Sequence, residues 1–150
     1  MTRPDNSRMH TAEHVLNQTM VRVLGCGRCF SAHINPKKSK CDYRFDRPLS
    51  DAEAGEIEFG VNEVLAAGVA VHVQMMPLEQ ARESFDLTRL PDPSVEAVRI
   101  VHVGDYDSCP CSGDHVSNTS EIGPFCLTTH SWEDGVLRLR FKLSPPAEDL

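Results

Sequence analysis

No stretch of this 150-residue chain is apolar over the length that crosses a bilayer, and the opening Met1 to Arg8 is polar with no apolar run behind it. The expectation from those two absences is a soluble cytoplasmic protein, with neither a membrane span nor a secretion leader. Internal repeats and low-complexity segments are also missing. Only two places read as long loops, Asp86 to Ser94 with its two prolines and the tail from Ser144. Neither has the make-up of a domain linker, so one domain over 1–143 with a tail over 144–150 is expected, a length that buries a core without disulfide staples. The six cysteines, Cys26, Cys29, Cys41, Cys109, Cys111 and Cys126, therefore read as reduced thiols, some of them metal ligands.

Positive charge is scarce as well. The formal net charge is −7, which argues against a nucleic-acid partner as long as it is spread evenly. It is not: residues 1–47 hold nine of the fifteen basic residues and only four acids, a local net of +5. Lys37, Lys38, Lys40, Arg44 and Arg47 form a basic cluster that suits a phosphate backbone, against the plainer reading of a solvated edge.

Met9, Ala12, Leu16, Met20 and Val23 fall on one stripe at helical spacing, and Gly25 stops the run, so a helix is expected over 7–24. Ser50 and Glu53 have the spacing of a capping box, and Ile57, Val61, Val64 and Leu65 continue a second helix as far as Gly68. Asn35-Pro36 marks a hairpin turn within Phe30 to Phe45. Val69 to Val73 and Val98 to Val103 read as strands. Leu137, Leu139, Phe141 and Leu143 alternate with Arg138, Arg140 and Lys142 after an Asp134-Gly135 turn, a hairpin partner for a strand at Phe125 to Thr129. The fold class that follows is α+β, an antiparallel sheet with two main helices.

His10 and His14 are four residues apart, hence on one face of the first helix and nearly opposite its apolar stripe. Two surface histidines would produce the same spacing. A second pair stands in Cys111-Ser-Gly-Asp-His115, where the glycine lets a thiolate and an imidazole converge. Three imidazoles and one thiolate suit tetrahedral zinc, whereas magnesium and calcium select oxygen ligands. The Cys26-x-x-Cys29 pair competes for a metal, but its only counterpart, Cys109-Pro-Cys111, has a poor spacing, which leaves Cys26 and Cys29 as buried or idle thiols.

His-Thr-Ala-Glu-His-Val-Leu-Asn over 10–17, with Cys-Ser-Gly-Asp-His-Val-Ser-Asn-Thr-Ser-Glu-Ile-Gly-Pro-Phe over 111–125, strongly resembles the editing domain shared by alanyl- and threonyl-tRNA synthetases. In length the chain resembles the smallest stand-alone AlaX-type relatives. Arg44-Phe45-Asp46 and Met76 to Ala81 extend the resemblance over nearly the whole sequence. The resemblance implies that fold, a zinc held by His10, His14, Cys111 and His115, and hydrolysis of the ester joining a wrong amino acid, serine or glycine, to alanine tRNA. Mischarged tRNA is then the partner, and no membrane or obligate protein partner is inferred. Phe30-Ser31-Ala32-His33 corresponds to the segment that lines the amino-acid pocket in AlaX-type proteins, with Ala32 where threonine is expected, and makes Ser31 and His33 candidates to contact the substrate. Glu13 is the candidate general base, against a solvated helix carboxylate or a partner of a ligand histidine. It also creates His-x-x-Glu-His, which resembles the zinc motif of S-ribosylhomocysteine lyase. That lyase and a zinc-stabilised, non-catalytic tRNA-binding module are the two rival readings.

Overall fold

The apolar stripe of the first helix is what anchors the molecule. In the computed structural model, which describes residues 6–85, 87 and 95–145, α1 spans Ser7–Leu24. Met9, Ala12, Leu16 and Met20 are buried as the stripe requires, and so are Thr11, His14, Val15, Asn17 and Thr19, so that the helix is enclosed on more than one side. Gly25 ends it in the left-handed conformation (φ 70°), and its N–H closes onto the Val21 carbonyl.

A short strand, β1 (Ser31–His33), turns back into β2 (Ser39–Arg44), and α2 (Asp51–Ala66) follows. Both bonds of the capping box form at its start, Glu53 N–H to Ser50 Oγ and Ser50 N–H to the Glu53 carboxylate. The long C-terminal hairpin pairs β6 (Phe125–Glu133) with β7 (Val136–Leu143). Asp134 and Gly135 both take positive φ (49° and 82°), the turn geometry that matches the twist of a tight hairpin. β7 inserts beside β2, giving an antiparallel sheet in the order β1-β2-β7-β6. Cys41, Tyr43, Leu137, Leu139 and Phe141 on its inner face pack with α1 and with Ile57, Val61 and Leu65 of α2 as the main core.

The remaining strands do not join that sheet. β3 (Val71–Pro77), β4 (Ala97–Val103) and β5 (Asp107–Pro110) make a separate antiparallel sheet in that order, where sequence reading expects one sheet. A third helix, α3 (Leu78–Ser84), follows β3 directly, and Met76, Ala81, Val98 and Ile100 form a second, small core there. β3 begins two residues later than expected and runs on to Pro77. A single 3-10 turn over Thr119–Glu121 is capped by Asn118 and Glu121. Except for Leu87, the loop expected over Asp86 to Ser94 lies outside the described residues, as do 146–150 of the expected tail. No helix among the described residues is long and apolar enough to cross a membrane.

Candidate metal centre

One helical turn separates His10 from His14, and both project from α1 toward the segment that leaves β5. Arg99 of β4 holds that segment in place: its guanidinium donates to the Cys111 carbonyl (2.8 Å) and the Gly113 carbonyl (2.7 Å), while Cys111 N–H returns a bond to the Arg99 carbonyl (3.1 Å). The loop therefore closes over the helix. His10, His14 and Cys111 offer ligand atoms that all lie within 4.8 Å of one another. His115 joins them through Nε2, 3.4 Å from Cys111 Sγ, while His10 Nε2 lies 3.9 Å from the same sulfur. The rings of His10 and His115 stack at 4.9 Å, and His14 meets His115 edge-on at 4.5 Å.

These separations can be tested against a metal. With Zn–S near 2.3 Å and Zn–N near 2.0–2.1 Å, a tetrahedral site sets sulfur and nitrogen roughly 3.5 Å apart. The two S···N distances, 3.4 and 3.9 Å, bracket that value. The donor set fits zinc.

The ligands are also oriented from behind. Thr11 Oγ1 donates to the Ser7 carbonyl (2.9 Å), contacts His115 Nδ1 (2.9 Å) and receives Val116 N–H (3.2 Å), which fixes the His115 ring with Nε2 toward the sulfur. His14 Nδ1, buried and without a hydrogen bond, faces Asp107 Oδ2 at 3.6 Å, the relation in which a carboxylate steadies a metal-binding imidazole. Asp107 is itself held by Arg28 (2.5 and 3.2 Å) and by Gln18 Nε2 (3.0 Å). Space is tight: a Cβ on Gly113 would collide with the His10 ring at Cε1 and Nδ1, so only glycine lets the loop pass.

Electrostatics follow from this packing. Burial pushes the Cys111 thiol up, but His10, His115 and His14 around the sulfur overcome it and bring the group down to about 3, so the donor is a thiolate. For His14 burial works against the charged form, yet the facing Asp107 and Cys111 raise it to about 9. Asp107 is lifted by burial and lowered more by His14 and Arg28, to about 2. His115 goes the other way, its burial outweighing the sulfur beside it.

The other expected residues divide. Glu13 faces the cluster, with Oε1 3.6 Å from His10 Nε2 and its side chain 13% exposed, rather than projecting into solvent. Ser31 and His33 are exposed and pair with Asp42 and Lys40. Strand alternation puts them on the face opposite to Ala32 and its partner Cys41, and Cys41 is the side that meets Glu13. The structure thus does not bring Ser31 and His33 to the cluster; of that strand, Ala32 shares its side. In the basic cluster, Lys37 and Lys38 are exposed at the β1–β2 turn, Arg44 lies over the Phe30 ring (4.0 Å), and Arg47 is paired with Glu53 through two bonds of 2.7 Å. Sequence reading missed Thr11, Arg28, Arg99 and Asp107. None of the four stands in a metal-ligand spacing, and what assigns each is a contact made across the fold.

Residues 98–140 match the family described as the threonyl and alanyl tRNA synthetase second additional domain, a span that contains Cys111 and His115. The chain is similar to an alanine–tRNA ligase of Treponema denticola, 31% identical over 133 residues, which is 87% of this chain and 22% of that protein. One from Leptospira biflexa is 36% identical over 125 residues (79% of this chain, 13% of that protein), and one from Bacillus subtilis 33% over 129 (81% and 14%). The chain spans less than a quarter of the length of each of these relatives.

Proposed function

We propose that this chain, a relative of alanine–tRNA ligases that carries the second additional domain of threonyl and alanyl tRNA synthetases, is a zinc-dependent editing hydrolase that removes a wrongly attached amino acid from tRNA. The observation that carries the reading is the meeting of His10, His14 and Cys111 within 4.8 Å of one another, with His115 Nε2 3.4 Å from the same sulfur, separations that suit zinc. Serine and glycine esters of alanine tRNA are the proposed substrates, and the reaction is proposed to run in trans, on tRNA charged elsewhere.

Bound there, zinc would polarise and orient a polar group of the aminoacyl ester. Four protein ligands would fill a tetrahedral shell and leave no position for a resident water, so a substrate group would reach the metal only as a fifth ligand or in place of one of the four. Glu13, with one carboxylate oxygen toward the cluster, is the proposed general base for the attacking water. Thr11 and Asp107 hold the rings of His115 and His14, and Arg99 holds the loop of Cys111. Ala32, on the cluster's side of β1, presents a small apolar surface where AlaX-type proteins have a threonine. An apolar pocket separates amino acids that differ by one small group by only about 1–3 kcal/mol, which is why a second, hydrolytic site is useful for alanine-sized substrates.

The test measures zinc content together with release of amino acid from seryl-, glycyl- and alanyl-tRNA by the chain by itself. Hydrolysis of the seryl or glycyl ester with alanyl-tRNA spared, and joint loss of zinc and activity in His14→Ala, is the expected result. Zinc binding with no release from any of the three would leave a tRNA-binding module instead, and cleavage of S-ribosylhomocysteine would establish the lyase.

A further inference from the structure

A second set of donors lies directly behind the first. Cys29, which precedes β1, and Cys41 of β2 are buried, at 5% and 0% exposure. One ligand atom from each of Glu13, Cys29 and Cys41 lies within 4.8 Å of the other two. Glu13 Oε2 accepts from Cys29 Sγ at 3.5 Å, while Oε1 faces His10. A carboxylate this little exposed, at 13% of its side chain, ordinarily meets strong N–H or O–H donors or a cation. Glu13 meets a thiol, among the weakest donors in a protein, and an imidazole at 3.6 Å. The frame around the thiols is fixed: Asn17 Oδ1 accepts from Tyr43 Oη (2.7 Å) and from Cys29 N–H (3.3 Å), which ties the Cys29 segment to α1 and to the strand that carries Cys41.

We propose that Glu13, Cys29 and Cys41 form a second metal site, for a soft or borderline divalent cation of the zinc class. Two thiolates with one carboxylate are a zinc donor set, and three protein ligands leave a fourth position to a small ligand such as water. Binding displaces two protons: two thiols, one carboxylate and Zn²⁺ give a complex of net charge −1 and two H⁺. Three neutral imidazoles, one thiolate and Zn²⁺ in the first cluster carry +1, so the two sites together are neutral, with one Glu13 oxygen toward each. That charge balance rests on the zinc reading of the first cluster; the donor geometry of the second does not.

The experiment counts metal per chain. The whole protein is stripped with chelator under reducing conditions, reloaded with zinc or with cobalt(II), freed of unbound metal and analysed. About two metals per chain are expected, falling to about one in Cys29→Ser and in Cys41→Ser, variants that keep the size of the thiol. In the cobalt form the thiolate-to-metal absorption of a double serine variant should drop by about two-thirds, as three sulfur ligands become one. One metal in the wild type, kept by both serine variants and lost in His14→Ala, overturns the second site and leaves the first standing. Two metals that persist in both serine variants overturn it as well. A single metal lost in Cys41→Ser and kept in His14→Ala upholds this site and overturns the zinc reading of the first. The wild-type stoichiometry is decisive without relying on the folding of any variant.

Discussion

At the scale of single residues, the candidate centre depends on two positions that no ligand pattern names. Gly113 passes so close to His10 that a methyl group has no room, and the obstacle is the ring itself. Gly113→Ala must push His10 or the loop aside. We expect metal affinity and deacylation to fall together by roughly 10- to 100-fold, the range seen when a metal ligand loses its support, with the melting temperature of the chelated protein nearly unchanged. Equal activity in the alanine variant would mean that His10 has freedom the packing does not suggest. Asp107 gives a pH dependence whose sign is fixed by its neighbours. Its folded value of about 2 lies below the ordinary carboxylate value, so the stability it supplies is fully present above about pH 4 and is lost as pH falls through about 2. The shift corresponds to on the order of 2 kcal/mol. Denaturant unfolding of the chelated protein between pH 5 and pH 2 should show this acid limb, and Arg28→Gln, which removes a principal partner of Asp107, should flatten it.

At the scale of elements, a helix start is separable from the site. The Ser50 hydroxyl accepts the Glu53 N–H at the head of α2, and Ser50→Ala should cost about 1 kcal/mol. In a chain of this size that lowers the melting temperature by about 3 °C. Metal content and deacylation should not change, because the His/Cys ligands come from α1 and the loop after β5. This cap was legible in the sequence because both of its bonds are local, as were the α1 stripe and the Asp134-Gly135 turn. β5 and α3 were not. β5 is four residues long and ends in Pro110, with little propensity of its own, and it exists because β4 offers an edge. α3 is seven residues long and begins directly at Pro77, too short for a helical period to declare itself. The division into two sheets was hidden for the same reason, since alternation shows that a strand has two faces but not which strand it pairs with. At the centre, His10, His14, Cys111 and His115 could be picked out by residue type and spacing. Asp107 and Thr11 acquire their roles from residues about 90 to 100 positions away, and no local signal carries that.

At the scale of the whole molecule, the proposed function requires a chain of net charge −7 to meet a polyanion. The outer face of the four-stranded sheet offers an answer narrower than the basic cluster read from sequence. Lys40 pairs with Arg140 across β2 and β7, His33 pairs with Lys40 from β1, and Lys37 and Lys38 stand exposed at the adjoining turn. Arg47 is committed to Glu53, Arg138 to Asp42, and Arg44 stacks on Phe30. Among the described residues, the cations of this face and its adjoining turn left to meet phosphates are therefore Lys37, Lys38, Lys40, Arg140 and Lys142. If they do, a Lys37/Lys38/Lys40 triple alanine variant should bind tRNA more weakly. Its plot of log affinity against log salt should be shallower by roughly 0.7 to 0.9 for each phosphate no longer neutralised. Arg47→Gln should leave that slope unchanged, since its guanidinium already has a carboxylate. Phosphate contacts position a nucleic acid without performing chemistry, so the triple variant should still hydrolyse a minimal aminoacyl-adenosine ester at the wild-type rate. An unchanged salt slope in the triple variant would make this face a solvated edge and send the RNA to another surface. A slope that falls equally in Arg47→Gln would mean that the Glu53 pair opens on binding and that the docking face extends to the start of α2.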